Sequence, residues 1–287
     1  MKKNILSIVL LLLCGTAGAQ VFPAMDVTAD PVSLSLGGTS DRNAAVFALE
    51  GKKVDAGLSY MSWSPKMAAT TMFNVDALGK IGPVAVGIKY RSFGEQPYSL
   101  TDDNGLSKNV FTPSESIIGG SVAYVISDII SVGAGINSVS VKLGEEVSGS
   151  AIAADVYAAF CKEGIRVALT ASGIGGKIDL GGDKEQSLPS LVRLNGGYDF
   201  QFGLKLNAEA DYLFNGGIMG GFGAEYNIAG IASVRAGYHF GDAVKAIPSY
   251  AALGAGVRLF GAEINFTYLL ASETIGGTFI AGLRYSF

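Results

Sequence analysis

From Val54 onward the sequence repeats with a period of two. In Gly203 to Phe214, Leu204, Leu206, Ala208, Ala210, Tyr212 and Phe214 alternate with Lys205, Asn207, Glu209 and Asp211; in Pro83 to Ser92, Val84, Val86, Ile88 and Tyr90 alternate with Ala85, Gly87, Lys89 and Arg91. Residues two apart share one face of an extended chain, so each stretch reads as a strand with an oily side and a small or charged side. Past the first 19 residues no apolar run approaches the roughly 20 residues that a membrane helix needs. The mean hydropathy is nevertheless +0.36. A closed barrel, whose strands satisfy every backbone group laterally, is the remaining way for such a chain to enter a membrane. A large secreted sandwich shows the same alternation and stands as the alternative.

Fourteen such stretches run from Val54–Ser62 and Met67–Leu78 through to Ala262–Ala271 and Gly276–Phe287, an even number, as a bacterial single-chain barrel requires. Outer-membrane barrels alternate short periplasmic turns with longer external loops. The connections at 79–82, 127–128, 162–164, 201–202, 229–230 and 260–261 are tight, whereas the two longest, Phe93 to Ser114 and Gly173 to Ser187, fall on the opposite side of the count. The expected fold is therefore all-β: a 14-stranded antiparallel transmembrane β-barrel over residues 54–287. The apolar set faces lipid and the charged set the lumen. Residues 20–53, with their Pro, Asp and Gly-Gly and a helix-compatible piece from Asn43 to Glu50, read as a plug-like N-terminal segment packed in the periplasmic mouth, or else as a solvated tail.

Lys2 and Lys3, an apolar run from Ile5 to Leu13 and Ala17-Gly18-Ala19 before Gln20 form a secretory signal peptide over residues 1–19. Leu13 ahead of Cys14 argues against a lipoprotein anchor. Removing the leader turns 21 basic residues into 19 against 25 acidic ones, a net charge of −6, which speaks against a nucleic-acid partner. Cys161 is then the one cysteine left, so no intrachain disulfide is expected. The final strand, with Phe279, Ala281, Leu283, Tyr285 and Phe287 on one side, ends on an aromatic, the form outer-membrane barrels present to the barrel assembly machinery; Gly282, Tyr285 and Phe287 are its assembly-signal residues.

Catalytic and metal chemistry find little support. His239 is the sole histidine, placed in the lumen set with Ile231, Ser233, Arg235 and Gly237. Asp242 is its nearest acid in sequence, yet no Gly-x-Ser-x-Gly elbow accompanies it. One His and one Cys make a poor zinc set. Asp102-Asp103-Asn104-Gly105 lacks the closing Glu of a calcium loop and reads as an external turn. Gly220-Gly221-Phe222-Gly223 and Gly254-Ala255-Gly256 do not open helices, and glycines in barrel strands serve bends or close packing. No cofactor is expected, and the chain reads as no enzyme. The more informative set is a lumen charge cluster near the periplasmic ends: Glu225, Arg258, Glu263 and Arg284, the last three on neighbouring strands where opposite charges pair across the ladder. It reads either as lumen packing that holds the N-terminal segment or as a gate. Trp63, with Tyr60 and Met61, reads as part of an interfacial aromatic belt.

Ser35-Leu36-Gly37-Gly38 with Asn43-Ala44-Ala45 ahead of the first strand, Pro248-Ser249-Tyr250-Ala251, and Gly282-Leu283-Arg284-Tyr285-Ser286-Phe287 at the end resemble the PorV/PorQ family of outer-membrane proteins, which is similar to the FadL type of barrel. Where relatives show Asn-Pro-Ala, this chain has Phe47-Ala48-Leu49. The resemblance implies the bacterial outer membrane, with its lipid around the belt, and two kinds of work. Some members are accessory components of type IX secretion, which implies secreted protein cargo or a translocon barrel as partner at the external loops. The FadL type passes hydrophobic solutes, which is the alternative expectation.

Overall fold

A computed structural model describes residues 22–40, 42–63, 70–101, 107–145, 147–181, 185–214, 216–241, 247–272 and 275–287. The leader, Asp102 to Gly105 and Asp242 lie outside the described residues. Among the described residues three short helices precede the strands: α1 (Pro23–Asp26), α2 (Pro31–Ser35) and α3 (Ala44–Leu49). Asp30 caps α2, its side chain accepting from the Ser33 amide, and Pro31 supplies the preset φ of a first helical residue. Asn43 caps α3 by accepting from the Ala45 and Val46 amides.

Fourteen strands then close into one antiparallel barrel: β1 (Val54–Ser62), β2 (Thr71–Ile81), β3 (Val84–Gly94), β6 (Ser114–Ser127), β7 (Ile130–Lys142), β8 (Ser148–Lys162), β9 (Ile165–Ile174), β12 (Leu191–Asp199), β13 (Leu204–Leu213), β14 (Ile218–Ile228), β15 (Ala232–Phe240), β16 (Tyr250–Leu259), β17 (Ala262–Leu270) and β18 (Phe279–Ser286). Each strand pairs with its sequence neighbour, and β1 pairs with β18 to close the ring. The four remaining strands are hairpins in the two long external connections: β4 (Tyr98–Thr101) with β5 (Ser107–Phe111), and β10 (Lys177–Ile178) with β11 (Gln186–Ser187). Those connections are therefore partly structured, and β3 and β9 run further outward than their alternation indicates.

The loop parity of a barrel is obeyed. Tight turns at 82–83, 128–129, 163–164, 229–231 and 260–261 mark the periplasmic rim. Glu163-Gly164 and Phe260-Gly261 have positive φ at both residues, the twist-matched geometry of two-residue hairpins, and Ala229-Gly230 have the same signs at the start of a three-residue turn. Gly79 to Ile81, read as a turn from the sequence, instead extend β2, leaving Gly82-Pro83 as the bend.

Alternation sorts the faces as the pattern requires. In β17, Glu263, Asn265, Thr267 and Leu269 are buried while Ile264, Phe266, Tyr268 and Leu270 are exposed. The outward residues form an apolar belt, with Tyr124, Tyr198, Phe202, Tyr226, Phe260, Tyr285 and Phe287 at the periplasmic rim, where amphipathic rings suit headgroup depth. Phe287 is tied into the seam: its carbonyl accepts from the Lys53 and Val54 amides, and its amide donates to Val54. Tyr285 and Phe287 are thus lipid-facing, and Gly282 lies on the lumen side against Pro31 of the segment.

Candidate functional site

The lumen has two chemically different halves. Toward the outside, inward positions carry Met61, Met72, Phe93, Ile117, Val139, Leu213, Met219, Leu269 and Ile280, all buried in one cluster. Ile178, Leu188, Ile247 and Ile275 reach into the same cluster from the external connections, and Phe22, Ala24, Val27 and Leu34 from the N-terminal segment. This is an oily chamber inside a barrel, filled by these packed side chains. The alternation rule alone assigns apolar residues to lipid, so it misses the chamber. The available signal was the breakdown of alternation at the outer strand ends, where Met72-Phe73, Ile117-Ile118, Leu269-Leu270 and Phe279-Ile280 place oily residues on both faces.

Trp63 belongs to this chamber and not to the lipid belt. It packs against the buried cluster and meets Phe93 edge-on at 5.6 Å between ring centroids. The parity of β1 is the reason: Tyr60 faces outward, so Met61 and Trp63, one and three residues on, face inward.

Below the chamber the wall is charged. Arg235 lies between Glu225 and Glu263, its Nη2 2.9 Å from Glu263 Oε1 and its Nη1 donating to Asn265 Oδ1 at 2.7 Å. Arg235, Glu225 and Glu263 are each under 10% exposed. Arg258, half exposed, donates from Nε to Glu263 Oε2 at 2.9 Å. Glu225, Arg258 and Glu263 are therefore brought together, with Arg235 at the centre. The sequence placed Arg235 on the lumen face but not in the cluster, because its partners are recognisable only once the strand register is known.

Arg284 stands apart from that group. It sits opposite Glu263 in the β17–β18 register, yet its guanidinium reaches Asp55 Oδ1 at 2.7 Å and Asp30 Oδ1 at 2.6 Å. Gly57 makes room, since a Cβ there would lie 3.0 Å from Arg284 Nη2. Arg42 of the segment bridges Asp55 and Asp76 in turn. Across the lumen, Arg193 Nε lies 2.9 Å from Asp211 and 3.0 Å from Glu209, and Glu209 also accepts from the Ser40 amide at 2.7 Å. Asp155 accepts from Asn137 at 2.7 Å, Tyr157 at 3.0 Å and the Gly173 amide at 3.1 Å. Between this wall and the segment lies a cavity of about 270 Å³, with Lys89, Arg91, Asp76 and Asp155 on its sides and Met25 and Ile117 among its apolar lining. A second space of about 610 Å³ faces the periplasm below α2 and α3.

The segment runs along the inner wall between these spaces. Its Leu36-Gly37 knuckle sits on glycines of β14 and β15, and Ser35 before it on Gly254 of β16. A Cβ would fall 2.0 Å from Gly37 O at Gly221, 2.5 Å from Leu36 Cα at Gly223 and 2.3 Å from Gly37 N at Gly237. The glycine runs of the sequence are accordingly a packing surface, as strand glycines often are. His239 closes the same row, with Nδ1 3.1 Å from Gly37 O and its ring stacked on Tyr250 at 4.9 Å. Ile231, expected beside it in the lumen set, is exposed in the periplasmic turn. On the opposite wall α3 packs on Ala85, Ala123, Ala159 and Ala168, and Ser131 donates to Ala45 O. Gly37 and Gly38 both have positive φ, which lets the chain turn sharply after α2.

No protein-family model matches the sequence, and no curated protein does. Solved structures match the fold at low identity. The toluene transporter TbuX of Ralstonia pickettii is 14% identical, with a TM-score of 0.66 over 93% of this chain and 99% of its own. The CymD monoaromatic hydrocarbon channel is 12% identical, with a TM-score of 0.66 over 91% and 97%. A Pseudomonas aeruginosa FadL homologue is 12% identical, with a TM-score of 0.54 over 95% of each chain. The chain shares the fold of these fourteen-stranded barrels, and its apolar belt sits in the bacterial outer membrane. A FadL homologue is among these three similar structures, and no PorV/PorQ protein is.

Proposed function

We propose that this barrel is a passive, non-enzymatic conduit for small hydrophobic solutes. The observation that carries the reading is the oily chamber: barrel interiors that pass water and ions are polar, whereas here thioether, aliphatic and aromatic side chains fill the outer half of the lumen. A mostly apolar concavity with few polar groups is the form that takes up small organic ligands. The similar structures include a toluene transporter and a hydrocarbon channel, which agrees with that chemistry. In this reading the N-terminal segment is the plug: a solute entering from outside displaces the aliphatic residues over the chamber, then passes beside the segment by the charged cavity. The accessory role in secretion, expected from the PorV/PorQ resemblance, has no observation of comparable weight behind it.

The test is binding and flux of a hydrophobic fluorophore, 1-aminoanthracene, by the protein reconstituted in phosphatidylcholine vesicles. Wild type is expected to bind saturably and to speed entry. Val139→Asp, which places a carboxylate in the chamber wall, is expected to abolish both while leaving the folded, heat-shiftable band in gels. Equal uptake by empty vesicles and by both proteins would refute the conduit.

A further inference from the structure

The closing pair β1–β18 differs from every other pair in the barrel. Asp55 and Arg284 meet across a separation of 229 residues, whereas the other barrel strands pair with their neighbours in the chain. Closing so large a loop is entropically the most demanding contact in the fold and the last that local pairing can supply.

The N-terminal segment bridges this seam. Asp30 uses one carboxylate oxygen to cap α2 and the other to hold Arg284 of β18 at 2.6 Å. Pro31 accepts from Thr267 of β17 at 2.6 Å, and its ring lies where a Cβ on Gly282 of β18 would be 2.9 Å away. From the same segment, Ala29 accepts from Ser59 of β1, and Arg42 reaches Asp55 of β1 and Asp76 of β2. Asp55 itself takes Arg284 on one oxygen and Ser286 at 2.8 Å on the other. Ala29, Asp30, Pro31 and Arg42 therefore touch both edges that must meet, and their segment is covalently joined to one of them through Lys53 and Val54. A tether that binds the far edge converts its capture into a local event at high effective concentration.

We infer that residues 29–42 are a closure clamp: they dock on β17–β18 during folding and deliver β1 to its partner. The clamp is then locked inside the finished barrel by the ion pairs it helped to form. A segment held in this way shifts locally to admit a solute and does not leave the lumen.

The experiment is refolding of the full mature chain from urea into short-chain phosphatidylcholine vesicles, with closure timed by the gel mobility of unboiled samples. Asp30→Asn keeps a capping oxygen but loses the charge on Arg284; it is expected to close about tenfold more slowly, a change of about 1.4 kcal/mol in the barrier. Thr267→Val, isosteric and uncharged, is the milder probe, expected to be about threefold slower by loss of one hydrogen bond. Ser131→Ala loosens α3 on the wall away from the seam and is expected to close at the wild-type rate. Should Asp30→Asn fail to fold, slow closure of Thr267→Val alongside normal closure of Ser131→Ala sustains the clamp. Closure of Thr267→Val at the wild-type rate, or equal slowing by Ser131→Ala, overturns it.

Discussion

Gly237→Ala puts the packing of segment on wall to a quantitative test. The new Cβ would lie 2.3 Å from Gly37 N, 2.4 Å from Leu36 C and 2.8 Å from Leu36 Cα. All three are backbone atoms, so no side-chain rotation relieves the contact. Reaching the 3.5–4.0 Å optimum for carbon contacts requires a shift of roughly 1 Å. The segment is pinned on this side by Thr267 on Pro31 O and His239 against Gly37 O. Movement of that size strains both hydrogen bonds, each worth about 0.5–1.5 kcal/mol. The expected loss is about 1–3 kcal/mol, the range for overfilling a packed site. Gly196→Ala is the matched control, because its Cβ would meet nothing within 4 Å. Both substitutions restrict the unfolded chain by about the same 0.4–1 kcal/mol, so that effect cancels in their difference. Equilibrium urea unfolding in lipid vesicles measures it. A difference below about 0.5 kcal/mol, the scatter of neutral surface changes, would show that the knuckle does not rest on these glycines.

Three further expectations follow from the same geometry. Trp63, the sole tryptophan, faces the chamber, so lipids brominated on their acyl chains should leave its fluorescence nearly unquenched while 1-aminoanthracene in the chamber quenches it; strong quenching by brominated lipid would return Trp63 to the belt. Arg235→Met leaves Glu225 and Glu263 buried without their shared cation, a loss expected to cost about 3–5 kcal/mol in urea unfolding, with partial recovery when both acids become Gln; an unchanged midpoint would refute the buried bridge. Glu263→Gln acts on Arg235 and Arg258 of the wall and not on the segment, so it is expected to lower stability without raising vesicle permeability to small ions, and a conductive variant would show that this group does gate the lumen.

Much of the architecture was legible in the sequence because a barrel obeys two independent periodicities. Side-chain parity within strands and loop-length parity between them led to the same fourteen strands, and both hold in the structure. The helix at 44–49 matches the helix-compatible piece read from Asn43 to Glu50. What escaped were features that depend on register and on three-dimensional apposition. Arg284 was expected near Glu263, and the strands do place them opposite; a vacancy above Gly57 draws the guanidinium toward two aspartates instead. Trp63 was read from its aromatic neighbours, when its odd spacing from Tyr60 already set the opposite face. The glycines at 221, 223 and 237 looked generic because their partner, the Leu36-Gly37 knuckle, lies far away in the chain.

The stacking of an oily chamber on a charged floor also bears on what the membrane loses by carrying this barrel. An apolar constriction sheds its water, and an ion cannot enter a dry passage without giving up its own hydration. A solute that dissolves in the chamber suffers no such penalty. In the conduit reading, the same side chains would admit oil and insulate the cell against salt and protons, so that the barrel would act as a selective solvent rather than as a hole, its sieve being solubility before size.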